Sequence, residues 1–252
     1  AFEACSNFSS IVIPESVIEI GEAAFRLCSS LTTMTIPANI KSIKRETFRL
    51  CNNLSSITIP ESITEIGWAA FADCKSLTSL VMPNNVYEIC DYTFVGCSNL
   101  THVTIPDSVS KIGYCAFSGC KRLSSISLPV NLEYLGEAAF SGCRKLESVI
   151  IPEKVVKINA YTFSRCTKLS SVVLPHTLIS IGDRTFDECS NINSLVLPDS
   201  VEKVGEFAFF GCSNLTNINI PKSISKINKG VFCGCNQLSS LLIPEGVKVI
   251  GD

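Results

Sequence analysis

Fourteen cysteines and two histidines are the residues of this chain best suited to hold a metal, pass electrons or attack a substrate. Eleven of the cysteines, from Cys5, Cys28 and Cys51 to Cys212 and Cys235, recur every 23 residues, and only Cys90, Cys115 and Cys233 fall off that phase. An odd column of equivalent thiols has no natural disulfide pairing, although neighbours would lie within reach. A zinc site asks for Cys-x-x-Cys and His spacing, and Cys233-Gly234-Cys235 alone comes near it. The column therefore reads as a small, slightly polar hydrophobe filling a tight buried corner. The three off-phase thiols are expected at the surface, where a redox role stays open. His102 and His176 fall at different phases, and no paired carboxylates accompany either one. No acid–base pair, triad or glycine-rich phosphate loop can be assembled. The expectation is a chain with no enzyme activity, no metal and no cofactor.

The elements that carry these residues are copies of one unit. Phe2, Phe25, Phe48, Phe71, Phe94, Phe117, Phe140, Phe163, Phe186, Phe209 and Phe232 keep the 23-residue spacing without an insertion or deletion, and so does every proline from Pro14 to Pro244. A fixed period of this length marks a solenoid whose copies stack into one continuous core. Hydrophobic residues make up 46% and charged residues 17%, which excludes a disordered chain. A net charge of -2 with no basic stripe argues against nucleic acid as a partner. No run approaches the ~18 apolar residues of a membrane span. The chain starts and stops inside a repeat, so residues 1–252 are expected to be a single solenoid domain, a fragment whose caps and targeting segments lie outside it.

Within the first full copy, Phe8, Ile11 and Ile13 are matched by apolar residues in every later copy. The alternation at 11 and 13 predicts a short strand with one face buried, leaving Ser10 and Val12 outward. Pro14 ends it, because proline cannot donate a ladder hydrogen bond. Equal phase predicts parallel pairing between copies about 4.8 Å apart. Val17 and Ile20 form a second inward segment. Gly21 follows, with Asn159 and Asn228 at the same phase in later copies; this substitution pattern predicts a left-handed corner at which Lys44 and Cys90 would be strained. Ala24-Phe25 then turns inward, with a helical turn allowed between the phenylalanine and the cysteine.

The pattern Ile-Pro-x-x-Val-x-x-Ile-Gly-x-x-Ala-Phe-x-x-Cys-x-x-Leu-x-x-Ile-x-Ile-Pro resembles the Treponema pallidum-type leucine-rich repeat of BspA-like surface proteins. Ser194-Leu195-Val196-Leu197-Pro198 with Val201, Val204-Gly205, Ala208-Phe209 and Cys212 displays it as clearly as any copy. The resemblance implies a β-rich leucine-rich-repeat solenoid of about eleven 23-residue coils with a parallel β-sheet on one face. It also implies a protein-binding module of a cell-surface or secreted adhesin attaching to host or matrix proteins. An intracellular scaffold and a passive structural stalk are the alternatives. Periodicity alone establishes only a scaffold capable of binding.

Three surfaces could carry such a function. The outward strand positions form two uncharged columns, from which Ser79, His102, Thr104, Ser125, Ser127, Ser148, Ile150, Ser171, Val173 and Val196 are the candidate contacts for a protein partner. The second column turns apolar from Ile150 onward. A further column changes sign, from Glu19, Glu65 and Glu88 to Lys111, Lys157, Lys203 and Lys226, and reads as a solvated face or as a weak electrostatic guide. Trp68, Tyr87, Tyr92, Tyr114, Tyr134 and Tyr161 lie off the core phase, as interface anchors or rim packing. Asn7, Asn53, Asn99 and Asn214 head Asn-x-Ser/Thr sequons in the turn before the strand, candidate glycosylation sites if the chain is secreted by a eukaryote.

Overall fold

The computed structural model describes residues 1–252, a parallel β-solenoid without helix. Each turn of the chain closes a three-sided coil.

The first side is the outward strand anticipated from the 11, 13 alternation. It appears at Thr33–Thr35, Ser56–Thr58, Ser79–Val81, His102–Thr104, Ser148–Ile150, Ser171–Val173, Ser194–Leu195 and Asn217–Ile218. They pair in parallel one repeat apart as four two-stranded sheets, Thr33 opposite Ser56 and Met34 opposite Ile57 in the first. Because side chains alternate along a strand, Met34 is buried while Thr33 and Thr35 face solvent. The eight strands and an isolated bridge at Ser125 make nine coils with pairing on this side, rather than the eleven counted in the sequence.

The second side holds two-residue strands. Ser42–Ile43, Glu65–Ile66, Glu88–Ile89, Lys111–Ile112 and Tyr134–Leu135 form one five-stranded sheet, and Lys157–Ile158, Ser180–Ile181 and Lys203–Val204 a three-stranded one. The glycine column lies at the end of these strands, and its reason differs from the one expected. None of these glycines has a positive φ. A Cβ on Gly136 would lie 2.4 Å from the carbonyl carbon and oxygen of Gly113, and one on Gly205 the same distance from the amide nitrogen of Asp183. The coils approach too closely there for a side chain. From Gly67 onward each glycine of the column donates its N–H to the coil before it, as Gly136 does to Ile112 at 2.8 Å. Asn159 makes the equivalent bond with its side chain, Nδ2 donating to the Leu135 carbonyl at 2.7 Å. Lys44 and Cys90 are likewise outside the left-handed region, so the predicted strain is absent. No two successive copies both carry a side chain in this column.

The third side, around the phenylalanine, contains no helical turn. The residues two before and two after each phenylalanine are left-handed, for example Ala23 at φ 50° with Leu27 at 63°, and Glu46 at 54° with Leu50 at 63°. Handedness that alternates along the chain points every second amide at the next coil: Ala23, Phe25 and Leu27 each donate at 2.9 Å to Arg45, Thr47 and Arg49. The amides between them, Ala24, Arg26 and Cys28, close four-residue turns within their own coil. Every N–H of this segment is thereby satisfied. A left-handed L-residue costs roughly 1–2 kcal/mol; the complete hydrogen bonding and the ring burial offset it.

One core of 65 buried residues runs through the stack. Its spine is the phenylalanine column, with successive rings 5.2 to 5.9 Å apart and within 11° of parallel from Phe2 to Phe232. Beside it, each column cysteine from Cys28 to Cys235 donates its Sγ hydrogen to the phenylalanine carbonyl of the preceding coil at 3.0 to 3.3 Å.

Candidate protein-binding face

The strand side is positioned by the inward Leu, Val and Ile of each strand, so its outward columns are held rigidly to solvent. All ten candidate contacts, Ser79, His102, Thr104, Ser125, Ser127, Ser148, Ile150, Ser171, Val173 and Val196, are exposed. Their apolar members show most of their surface, with Ile150 67%, Val173 51% and Val196 72% exposed. Val81 and Val12 also stand out from the face, so its apolar character is not confined to the second half. His102 shares a 3.3 Å hydrogen bond with Thr104 Oγ1 two residues on. The fold brings His102, Ser125, Ser127, Ser148 and Ile150 together in one groove of about 600 Å³, with Asp107 and Val130 at its edge. Ser171, Val173 and Val196 continue the same face beyond it.

The sequon asparagines line one edge, with Asn7, Asn53 and Asn214 exposed and Asn99 half-buried. The third sequon residue has a structural task of its own. Ser55 Oγ donates to the Thr32 carbonyl at 3.1 Å, Thr101 Oγ1 to Thr78 at 2.9 Å, and Thr216 Oγ1 to Asn193 at 2.9 Å. Copies without a sequon do the same, as with Ser170 and Glu147 at 3.3 Å. The hydroxyl is thus part of an inter-coil ladder.

The charged column is partly neutralised along its length. Glu19 pairs with Lys44, and Lys111 lies 2.7 Å from Glu88, whereas Lys157, Lys203 and Lys226 make no ion pair. Of the off-phase aromatics, Trp68, Tyr92 and Tyr114 stack edge to face at 5.4 and 5.1 Å. Arg45 caps this row 4.4 Å above the Trp68 ring, which makes rim packing its first role. Tyr87, Tyr134 and Tyr161 are exposed.

The expectation that all three off-phase thiols lie at the surface holds for Cys233 alone. Cys90 and Cys115 are half-buried because their columns sit between coils, and burial pushes the Cys90 thiol up to about 11. Periodicity also gave no warning of an arginine cluster at the third side. The buried carboxylate of Glu46 lies 2.8 Å from Arg26, 3.2 Å from Arg49 and 3.5 Å from Arg45. Burial works against its charge, but the Arg26 hydrogen bond and the neighbouring guanidiniums outweigh it and hold the carboxyl below its ordinary range. Its residues occupy positions filled by unlike residues in other copies, so only the coil geometry brings them together.

A model of the BspA-type leucine-rich-repeat region matches residues 1–103, 88–183 and 156–252, in six copies. Among solved structures, a leucine-rich repeat protein from Bacteroides ovatus is 30% identical, with 100% of this chain and 86% of that one covered and a TM-score of 0.59. The T. pallidum leucine-rich repeat protein is 31% identical over 69% of this chain and 72% of that one, with a TM-score of 0.50. A leucine-rich cell surface protein from Faecalibacterium prausnitzii is 29% identical over 90% and 77%, with a TM-score of 0.55. No curated protein matches the chain at a significant level. With its repeat, its coil and its full length matched, the chain belongs to the BspA-type leucine-rich-repeat family.

Proposed function

We propose that this chain is the protein-binding module of a cell-surface or secreted adhesin that attaches to host or matrix proteins. The observation that carries the reading is the strand side: a rigid, neutral face of hydroxyls interrupted by exposed Ile150, Val173 and Val196. Such a surface offers apolar anchors at little cost in entropy, because its backbone is already ordered. The relative from Faecalibacterium prausnitzii is described as a cell surface protein, which supports the location. In a secreted chain of eukaryotic source, glycans at Asn7, Asn53, Asn99 and Asn214 would close one edge and leave the strand face as the contact surface. The test is capture on a panel of immobilised extracellular-matrix proteins by the parent chain and by Ser148→Glu and Val173→Glu. Each variant places a charge on the face and should weaken capture about tenfold or more, the cost of an unpaired charge in an interface. Capture unchanged by both variants would return the chain to the role of a stalk. One observation favours an intracellular scaffold instead: all fourteen thiols are free.

A further inference from the structure

The corner that leads from the third side into the strand side carries an unbalanced charge in three successive coils. Lys121 and Arg122, Arg144 and Lys145, and then Lys168 occupy two adjacent columns, and all five are exposed. The coils on either side fill the same two positions with neutral residues, Ser98-Asn99 before them and Ser190-Asn191 after them. Along the chain these cations stand 23 residues apart, and a net charge of -2 hides them. The coil sets them beside one another.

The turns that present them are firmly held. The amide of Lys121 donates to Gly119 and that of Arg144 to Gly142, both at 2.8 Å. From coil to coil, Glu147 donates to Ser124 at 3.1 Å and Ser170 to Glu147 at 3.0 Å. Leu123, Leu146 and Leu169 anchor the corner in the core. Arg122, Lys145 and Lys168 therefore share one column at the coil spacing of about 4.8 Å.

Like charges directly opposite one another on neighbouring strands destabilise the pairing. No other column stacks three of one sign in successive coils. Elsewhere opposite charges meet across coils: Lys111 lies 2.7 Å from Glu88, and Arg165 3.3 Å from Glu188. None of the five corner cations makes an ion pair, and Glu147, the one carboxylate in these turns, makes none either. A polyanion from outside the chain relieves this repulsion.

The chemistry between the cations narrows the choice of polyanion. Only hydroxyls lie there, those of Ser124, Thr167 and Ser170, because the leucines are buried. These turns hold no aromatic ring on which a nucleic-acid base could stack and no exposed apolar side chain to anchor an acidic peptide. The stripe is a corner about 10 Å long, which suits a linear chain better than a bilayer surface.

Independently of the reading of the strand face, we propose that the corner at Lys121–Lys168 binds a sulfated polysaccharide laid along the stack. Arg122, Lys145 and Lys168 meet successive sulfates, Lys121 and Arg144 hold the chain from the third side, and the hydroxyls take those of the sugar.

The test is binding of the full chain to immobilised heparin at about 0.1 M salt. The variant Arg122→Ser/Lys145→Ser/Lys168→Ser keeps the fold, because Ser30 and Ser76 occupy this column in other copies. Its control, Lys157→Ser/Lys203→Ser/Lys226→Ser, removes the same charge from the second side, where Ser42 and Ser180 occur. The parent should bind, and ever more weakly as salt is raised. The corner variant should bind about tenfold or more weakly and with a shallower salt dependence, while the control stays within about twofold of the parent. With the repulsion gone, the corner variant should resist urea at least as well as the parent. Equal losses in both variants would mean attraction to overall charge and no site. No binding by the parent, or tighter binding to polyglutamate or to phosphatidylserine vesicles than to heparin, would overturn the polysaccharide. Matrix capture by Ser148→Glu and Val173→Glu reads the strand face separately.

Discussion

The Sγ of Cys97 donates a hydrogen bond of 3.1 Å to the carbonyl of Phe71, 26 residues earlier, and the amide of Cys74 donates to that same carbonyl at 3.1 Å. One oxygen thus uses both lone pairs, one for its own coil and one for the next. The ring of Phe71 lies 5.5 Å from that of Phe94 and within 2° of parallel. Thiol, carbonyl and ring are therefore one joint, repeated along the stack, and coil-to-coil stability concentrates there.

Phe117 is fully buried, with a ring stacked on either side. Phe117→Ala should cost about 3–5 kcal/mol in urea unfolding, the range for a large aromatic lost from a core that cannot collapse. Phe2, which is 41% exposed at the end of the column, should cost about 1 kcal/mol or less on the same change. Similar losses at the two sites would show that stacking between coils is not what the ring supplies.

Burial pushes the Cys51 and Cys166 thiols up to about 12 and holds Cys74, Cys120, Cys143 and Cys189 well above the ordinary range. In the unfolded chain these thiols ionise near 8.5. The folded form keeps its protons where the unfolded form releases them, so stability falls as pH rises above about 9 and is undiminished below about 8. Under reducing conditions the chain should unfold cooperatively on alkaline titration, and Cys→Ala changes in the column should reduce the slope. At neutral pH a thiol reagent should modify exposed Cys233 first and leave the buried column from Cys28 to Cys212 untouched until denaturant is added. Uniform labelling of the folded chain would contradict the buried column.

Glu46 is ringed by Arg26, Arg45 and Arg49 and carries a lowered pKa. Its contribution is present above the unfolded glutamate value and is lost as pH falls through the lower folded value, so acid weakens this corner below about pH 4. Glu46→Gln should cost about 2 kcal/mol at pH 7, the scale of a charge-assisted hydrogen bond between partly exposed partners, and less at pH 3. A cost that does not change between those two pH values would mean that packing, not charge, holds the residue.

Two glycines separate the two reasons for using glycine. Gly136 has an ordinary φ but no room, since a Cβ there would lie 2.4 Å from Gly113 backbone. Gly119 has φ 74° and its nearest such contact at 3.7 Å. Other coils put Leu27, Leu50, Asp73 and Arg165 at the Gly119 position with φ from 57° to 63°. Gly119→Ala should therefore cost about 1–2 kcal/mol, the price of a left-handed residue. Gly136→Ala should cost more, because two backbones must move apart. The reverse order in thermal or urea unfolding would overturn this assignment.

Sequence alone determined the repeat, the inward Phe, Cys and Ile columns and the outward strand positions. It could do so because a solenoid contacts only its neighbouring copies, so periodicity in the chain is periodicity in space. What the tertiary structure decided lies in the spacing and direction of backbone groups, which residue types do not encode. Gly136 reads as a flexible corner in a list of substitutions, yet it is a point of contact between two coils. Leu27 and Glu46 give no sign of their left-handed φ, because the amide bonds to the next coil impose it. The Glu46 cluster arises where single copies depart from the consensus. The physical effect of such departures depends on what the adjacent coil places opposite them.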